Sequence, residues 1–152
     1  MKKLILLLFV SFSFNLLSQT KQVVWETDIN KAIEKSLDTK KTLLFFFTGK
    51  DWCPPCKITQ KNVFESNEFA LWSSKVIPVE LDFPRGPKRK DIPKEYIELS
   101  NMLRVNSYPT MWFVDVDLKD NTTQLKPINM IIGGEKNPNI WINKADKILQ
   151  NK

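Results

Sequence analysis

The sequence contains no histidine, and it contains only two cysteines among its 152 residues. Without histidine the chain has no imidazole to act as a general base, to bind a metal ion or to activate a serine or cysteine nucleophile. The two cysteines, Cys53 and Cys56, lie two residues apart in the stretch FTGKDWCPPCK. The pair could form a metal site, a structural disulfide, a haem attachment or a redox centre, and the rest of the sequence must choose among these.

Length and composition are typical of one globular domain. Apolar residues make up 42% of the chain, charged residues 26% and aromatic residues 11%. A chain of this length and apolar content can bury a hydrophobic core of its own. No internal repeat or low-complexity tract interrupts it.

The first 18 residues have the layout of a secretory signal peptide. A basic start at Lys2 and Lys3 precedes an apolar stretch from Leu4 to Leu17, and the small residue Ser18 follows. The alternative is a membrane anchor, for which an apolar stretch of about 14 residues is short of the roughly 20 needed. Either interpretation places the domain, residues 19–152, in the periplasm or outside the cell. Its remaining net charge of +4 is too small to indicate a nucleic-acid partner.

Hydrophobic periodicity predicts alternating helices and strands. Helices are predicted at 29–37, 57–64, 67–74, 95–105 and 140–150, and strands at 42–49, 76–83, 110–117 and 126–134. Thr27 or Asp28 is expected to cap the first helix and Asn67 the third, and residues 117–121 are expected to form a hairpin turn. This order predicts an α/β fold with a small mixed sheet and helices on both faces.

Four kinds of site can contain two cysteines at this spacing. A zinc site needs four ligands, so the pair would have to share the metal with a second chain. Covalent haem requires a histidine at position 57, which is Lys57. A structural disulfide across so short a loop gains little entropy. A redox-active pair is the interpretation we favour.

The position of the pair, between a buried strand and a helix, supports redox chemistry. A thiol at the first turn of a helix faces unpaired backbone N–H groups, which stabilise the thiolate, and the thiolate is the nucleophile. Cys53 is expected at the helix start, and Cys56 one turn further in and more buried. Pro54 and Pro55 suit the first helical turn and stiffen the loop.

Two motifs together resemble the thioredoxin superfamily. Trp52-Cys53-x-Pro55-Cys56-Lys57 is similar to its active-site motif, and Tyr108-Pro109-Thr110 is similar to its cis-proline loop. The Gly133-Gly134 hairpin and the amphipathic last helix match the end of the same fold. The early W-x-x-D helix and the pattern DW-C-x-x-CK…VF…NEFA resemble a secreted bacterial subgroup.

The resemblance implies roles for individual residues. Cys53 would attack a substrate disulfide, and Cys56 would resolve the mixed disulfide. Pro109 would be cis and would face the cysteine helix, with the Tyr108 backbone pairing against the substrate. Trp52, Pro54 and Pro55 would line the docking surface, although Trp52 is also interpretable as a partly exposed core residue. Trp25, Trp72, Trp112 and Trp141 are predicted to be core residues.

One departure from the family concerns the proton acceptor for the second cysteine. Thioredoxins carry a buried aspartate six residues before the first cysteine, where this chain has Phe47. Strand alternation places Glu80 and Asp82 on one face of the second strand. One of them is a candidate acceptor; otherwise both are surface carboxylates.

Partners and direction follow from compartment and motif. The Pro-Pro dipeptide lacks the histidine of strongly oxidising relatives, so we favour a protein that reduces or exchanges protein disulfides over an oxidase. A membrane thiol reductase would supply its electrons. No cofactor or metal is expected, and the protein is expected to be a monomer. The loop 84–94 contains four cations: Arg85, Lys88, Arg89 and Lys90. They either frame the substrate site and favour acidic clients or are merely solvated. The alternative to an enzyme is a binding module on the same scaffold.

Overall fold

The computed structural model describes residues 22–152, so the predicted signal peptide at residues 1–18 lies outside the described residues. Within them, one four-stranded sheet has the order β2–β1–β3–β4. The strands are β1 (Thr42–Thr48), β2 (Val76–Asp82), β3 (Thr110–Lys119) and β4 (Thr122–Ile132). Strand β1 runs parallel to β2 and antiparallel to β3, and β3 is antiparallel to β4. The predicted mixed sheet is confirmed.

Helices cover both faces of this sheet. They are α1 (Ile29–Thr39), α2 (Pro54–Thr59), α3 (Asn67–Trp72), α4 (Lys94–Met102) and α5 (Pro138–Gln150). The core beside α1 and α4 lies on one face, and the core beside α2, α3 and α5, which includes both cysteines, lies on the other. No helix in residues 22–152 has both the length and the apolar character needed to cross a membrane.

The central strand β1 is buried along its whole length. Leu43, Phe45 and Phe47 belong to the core on the α1 side, whereas Leu44 and Phe46 belong to the core on the cysteine side. A strand covered on both faces has no solvent-facing side chains, which explains its continuous apolar sequence.

Two helix starts show how local chemistry sets the boundaries. The Asp28 carboxylate caps α1 by accepting hydrogen bonds from the backbone N–H groups of Asn30 and Lys31. The cap of α3 is Ser66, whose Oγ accepts from Phe69 N at 3.1 Å, so the prediction of Asn67 is wrong by one residue. Ser66 has the extended backbone that a cap needs, and Asn67 is already helical.

Other boundaries also differ from the sequence prediction. The hairpin turn consists of Asp120 and Asn121 alone, both left-handed with φ of 51° and 58°, rather than residues 117–121. Two left-handed residues form the tight turn that matches strand twist, and Asp and Asn tolerate this backbone, so β3 and β4 extend further. Helix α4 ends at Met102, and left-handed Arg104 (φ 52°) follows. Helix α2 continues into a π-helical turn at Gln60–Phe64.

Candidate active site

Cys53 and Cys56 lie at the junction of β1 and α2 and form a disulfide with an S–S distance of 2.02 Å. Cys53 is the N-cap of α2, with extended backbone, and its Sγ accepts a hydrogen bond from Cys56 N at 3.3 Å. Pro54 and Pro55 occupy the first helical positions, where a missing N–H costs no helical hydrogen bond. A Cys53 thiolate at this position would receive the backbone donor that stabilises its charge.

Burial distinguishes the two cysteines less than the sequence predicted. Cys53 is 2% exposed and Cys56 is 1% exposed, so both lie within the core on the α2 side. In this disulfide form, the two cysteines are buried to the same extent and differ in their position relative to the start of helix α2. Cys53 precedes the helix, and Cys56 lies inside its first turn.

Trp52 lies beside the pair in a fixed orientation. Its Nε1 donates a hydrogen bond to the carbonyl oxygen of Phe83 at 2.7 Å. The Tyr108 ring meets it edge-on with centroids 5.4 Å apart, and the Arg85 guanidinium lies 3.4 Å from the centre of its ring. A Cβ on Gly49 would lie 2.4 Å from Trp52 Cε2, so the indole packs into space that only glycine leaves free.

The loop containing Pro109 meets the cysteine loop from the other side of Trp52. The Tyr108–Pro109 peptide bond is cis, and Pro109 O accepts a hydrogen bond from Gly133 N at 2.9 Å. Beyond Gly133, a Cβ on Gly134 would lie 3.0 Å from Pro55 Cβ. The cysteine loop, the Tyr108–Pro109 loop and the end of β4 therefore converge.

Tyr108 also has a defined protonation state. Burial raises the pKa of its phenol above the ordinary value, and the positive charges of Arg85 and Arg89 offset this only in part. The phenol is therefore neutral at pH 7 and adds no negative charge beside Trp52.

A cavity of about 530 Å³ lies behind Cys56. Its wall includes Phe46, Thr48 and Lys50 from β1 and the following loop, together with Glu80 from β2. Glu80 Oε2 lies 2.6 Å from Lys50 Nζ, and its side chain is only 14% exposed. Glu80 is thus a largely buried carboxylate in the same cavity as the second cysteine.

The second candidate carboxylate has a different environment. Asp82 Oδ1 accepts a hydrogen bond from Lys50 N at 2.9 Å. Asp82 thus holds the loop that follows β1, and it does not line the cavity of Cys56. Glu80 and Asp82 are thus two residues apart on the same strand, as the sequence predicted, but of the two only Glu80 lines the cavity of Cys56.

Phe47, six residues before Cys53, does not face the cysteines. Its side chain lies in the core on the α1 side, away from the cysteines. The side chains of β1 that border the Cys56 cavity are those of Phe46 and Thr48, because neighbouring residues of a strand point to opposite faces. No residue at position 47 would reach Cys56 with this register.

Sequence reasoning missed three residues of the site: Gly49, Lys50 and Gly134. The position of Gly49, directly after a buried strand and three residues before Trp52, was a signal for close approach. Lys50 and Gly134 gave no such signal, because their neighbours in the site come from distant parts of the chain.

With this geometry in view, comparison with known proteins defines the class. A family model described as a thioredoxin-like domain matches residues 29–122, more than half of the chain. The protein therefore belongs to the thioredoxin-like family.

Individual relatives narrow the comparison. The chain is 32% identical over 91 residues to "Thioredoxin-related protein DsbJ" and 30% identical over 110 residues to "Disulfide bond reductase DsbH", both from Chlamydia pneumoniae. These matches cover 59% and 68% of this chain, but 26% and 66% of the relatives, which is less than two thirds of either.

Solved structures agree with the family on the fold. A structure described as DsbH oxidoreductase superposes with a TM-score of 0.66 at 24% identity, covering 86% of this chain and 87% of that one. A thioredoxin from Thermus thermophilus gives a TM-score of 0.61 at 16% identity, covering 84% and 88%. At these identities, the likeness shows the fold alone.

Proposed function

We propose that this protein is an extracytoplasmic thiol–disulfide oxidoreductase that reduces or exchanges protein disulfides. One observation carries the proposal: Cys53 caps helix α2, receives a hydrogen bond from Cys56 N, and is joined to Cys56 by a disulfide. Membership of the thioredoxin-like family and the names of the two Chlamydia relatives support it. The pattern of residues 1–18 supports secretion of a single domain, residues 19–152.

The reaction balances as two thiol–disulfide exchanges. In the reduced protein, the Cys53 thiolate attacks one sulfur of the client disulfide, and the other client sulfur leaves as a thiolate and takes a proton. Cys56, once deprotonated, attacks Cys53 Sγ and releases the second client thiol. Two electrons pass to the client, and the protein is left with the Cys53–Cys56 disulfide seen in the structure.

Glu80 is the acceptor of the Cys56 proton in this proposal. Glu80 and Cys56 line the same cavity. The carboxylate of Glu80 is largely buried and forms an ion pair with Lys50. The proton would pass from the Cys56 thiol to the Glu80 carboxylate directly or through one water molecule, the two routes open to a general base.

The reducing direction is supported by chemistry and by one relative. No histidine lies between the cysteines to favour the thiolate strongly, and Pro55 is the residue of reducing thioredoxins. The relative DsbH is named a disulfide bond reductase. A reductant outside the cytoplasm needs electrons, so a membrane thiol reductase is the proposed donor. We further propose that the protein acts as a monomer without a cofactor.

Reduction of insulin by dithiothreitol tests the activity. The wild-type protein should accelerate precipitation of the insulin B chain, and Cys53→Ser should leave only the uncatalysed rate because the attacking sulfur is gone. Cys56→Ser is the matched control, since it should still attack and should accumulate the mixed disulfide. A wild-type protein that gives no acceleration would instead favour a binding module on the thioredoxin scaffold.

A further inference from the structure

A second groove, distinct from the Cys56 cavity, is lined by Trp52 and Tyr108. It has a volume of about 380 Å³. Apolar surface comes from Phe83 and Ile92, and its basic side chains are Arg85 and Arg89. Trp52 and Tyr108 belong both to this groove and to the surroundings of the cysteines, so the groove is continuous with the redox site.

The positive charge in this groove is not neutralised within the described part of the chain. Between residues 22 and 152, neither Arg85 nor Arg89 forms an ion pair with a carboxylate. Both residues are exposed to solvent. The adjacent phenol of Tyr108 is neutral at pH 7, because burial raises its pKa.

The Arg85 guanidinium has a defined position in the groove. The Arg85 guanidinium lies 3.4 Å from the centre of the Trp52 ring, and Trp52 is itself held by its hydrogen bond to Phe83 O. An arginine stacked on an aromatic ring retains its N–H groups at the edge of the guanidinium plane for a ligand. Cys53 directly follows Trp52, so the groove begins one residue along the chain from the attacking cysteine.

We propose that this groove selects client proteins with a glutamate or aspartate next to the cysteine under attack. The client carboxylate would bind the Arg85 and Arg89 guanidiniums, and its methylene groups would lie against Phe83 and Ile92. A carboxylate is the partner that arginine binds with paired hydrogen bonds. This inference rests on the proposed function, because it concerns the clients of the same cysteines.

The structure also divides the basic loop into two parts. Arg85 and Arg89 line the groove, whereas Lys88 and Lys90 do not. The sequence grouped all four cations together as a possible frame for the substrate site. In the proposal, only the two arginines contribute to selection, and the two lysines are solvated.

Paired disulfide peptides test the proposal. They share one sequence except for the residue before the cysteine, which is Glu in one and Gln in the other. The second-order rate of mixed-disulfide formation with the reduced protein is measured at low and high salt. At low salt the wild-type protein should prefer the Glu peptide by about fivefold, the size expected for one or two exposed ion pairs, and high salt should reduce this preference.

Three double variants locate the effect. R85Q/R89Q should remove the preference for the Glu peptide, and R85K/R89K should retain part of it. K88Q/K90Q loses the same two positive charges as R85Q/R89Q but should keep the preference. Equal rates for the two peptides with the wild-type protein would overturn the inference. So would a preference for the Glu peptide that persists in R85Q/R89Q, or one that is also lost in K88Q/K90Q. If neither peptide reacts, the proposed oxidoreductase activity fails instead. The ratio of the two rates is insensitive to partial unfolding, because it compares two peptides on one protein.

Discussion

At the scale of single residues, the orientation of Trp52 depends on the missing side chain of Gly49. The indole occupies the position that a Cβ would take, and its Nε1 is already committed to Phe83 O. Arg85 and Tyr108 also pack against the ring, so three contacts together fix its orientation. One hydrogen atom in place of a methyl group therefore determines where Trp52 lies in the groove that it lines with Tyr108 and Arg85.

Gly49→Ala is accordingly expected to displace Trp52 and break its hydrogen bond. Overpacking of this kind costs about 1–3 kcal/mol, which urea unfolding would measure. The insulin assay should also slow severalfold, because Trp52 borders the cysteines.

Gly86→Ala is the matched control for this substitution. Gly86 has a φ of 65°, a backbone conformation that alanine adopts only with strain, so the substitution should destabilise the fold. Open space surrounds the position of the added Cβ, so the substitution should not displace Trp52. This variant should lose stability and keep its rate with insulin. A Gly49→Ala protein with unchanged activity would show that the orientation of Trp52 is unimportant.

At the scale of elements, strand alternation determines which residues reach Cys56. Counting six residues back from Cys53 selects Phe47, yet Phe46 and Thr48 border the cavity. The side chains of β1 divide between two cores, and only the paired register with β2 places Glu80 opposite Phe46. Sequence spacing alone gives the distance between two residues along the chain, but it does not give the face of the sheet on which a side chain lies.

Replacing Glu80 by glutamine tests its role as proton acceptor. Glutamine keeps the shape and loses the base, so release of the mixed disulfide should slow by about tenfold or more at neutral pH and recover as pH rises. Quenched-flow trapping of the Cys53 mixed disulfide measures this step.

Lys50→Gln supplies the control for this experiment. It removes the ion pair with Glu80 but leaves the carboxylate in the cavity, so resolution of the mixed disulfide should continue. If Glu80→Gln resolves the mixed disulfide at the wild-type rate across pH, Glu80 is not the acceptor.

The elements themselves were largely readable from the sequence. The buried run of β1, the cysteines at the start of α2 and the order of strands all follow from apolar patterning, and the structure has them as predicted. Cap and turn details were less readable: Ser66 and Asn67 are both good caps, and only their backbone angles separate them. The hairpin turn was predicted too long, because Asp117 to Lys119 look like turn residues but pair across an exposed edge.

At the scale of the whole molecule, the site is an assembly of segments far apart in sequence. The cysteine loop, Phe83 with the basic loop, Tyr108–Pro109 and Gly133–Gly134 meet only when the sheet forms. The resemblance to thioredoxins predicted the cysteine loop and Tyr108–Pro109 as parts of the site, and matched Gly133–Gly134 only as part of the fold. The contacts of Arg85 with Trp52 and of Gly134 with Pro55 depend on tertiary packing, which periodicity does not encode.

Asp146 connects the last helix, α5, to α3 and the residues that follow it, which lie more than 70 positions earlier in the sequence. Its Oδ1 accepts hydrogen bonds from Trp72 Nε1 at 2.7 Å and Lys75 Nζ at 2.8 Å. Burial alone raises the pKa of this carboxyl, but the bonds from Lys75 and Trp72 and the Lys75 charge outweigh it, and the pKa lies below its ordinary value of 3.8. The contact therefore stabilises the fold above pH 3.8, and this contribution disappears as pH falls through the lowered folded-state pKa.

Asp146→Asn is consequently expected to lower the free energy of unfolding at pH 7 by about 1 kcal/mol, as for a partly exposed ion pair. The difference from the wild-type protein should shrink as pH falls below 3.8 and through the lowered pKa of the folded wild-type carboxylate, where that carboxylate is also neutralised. Urea unfolding at a series of pH values measures both quantities. Asp38→Asn removes the same charge from an exposed position of α1 and should leave the pH dependence unchanged. An Asp146→Asn protein whose deficit persisted unchanged to pH 2.5 would show that the carboxylate charge is not what joins α5 to α3.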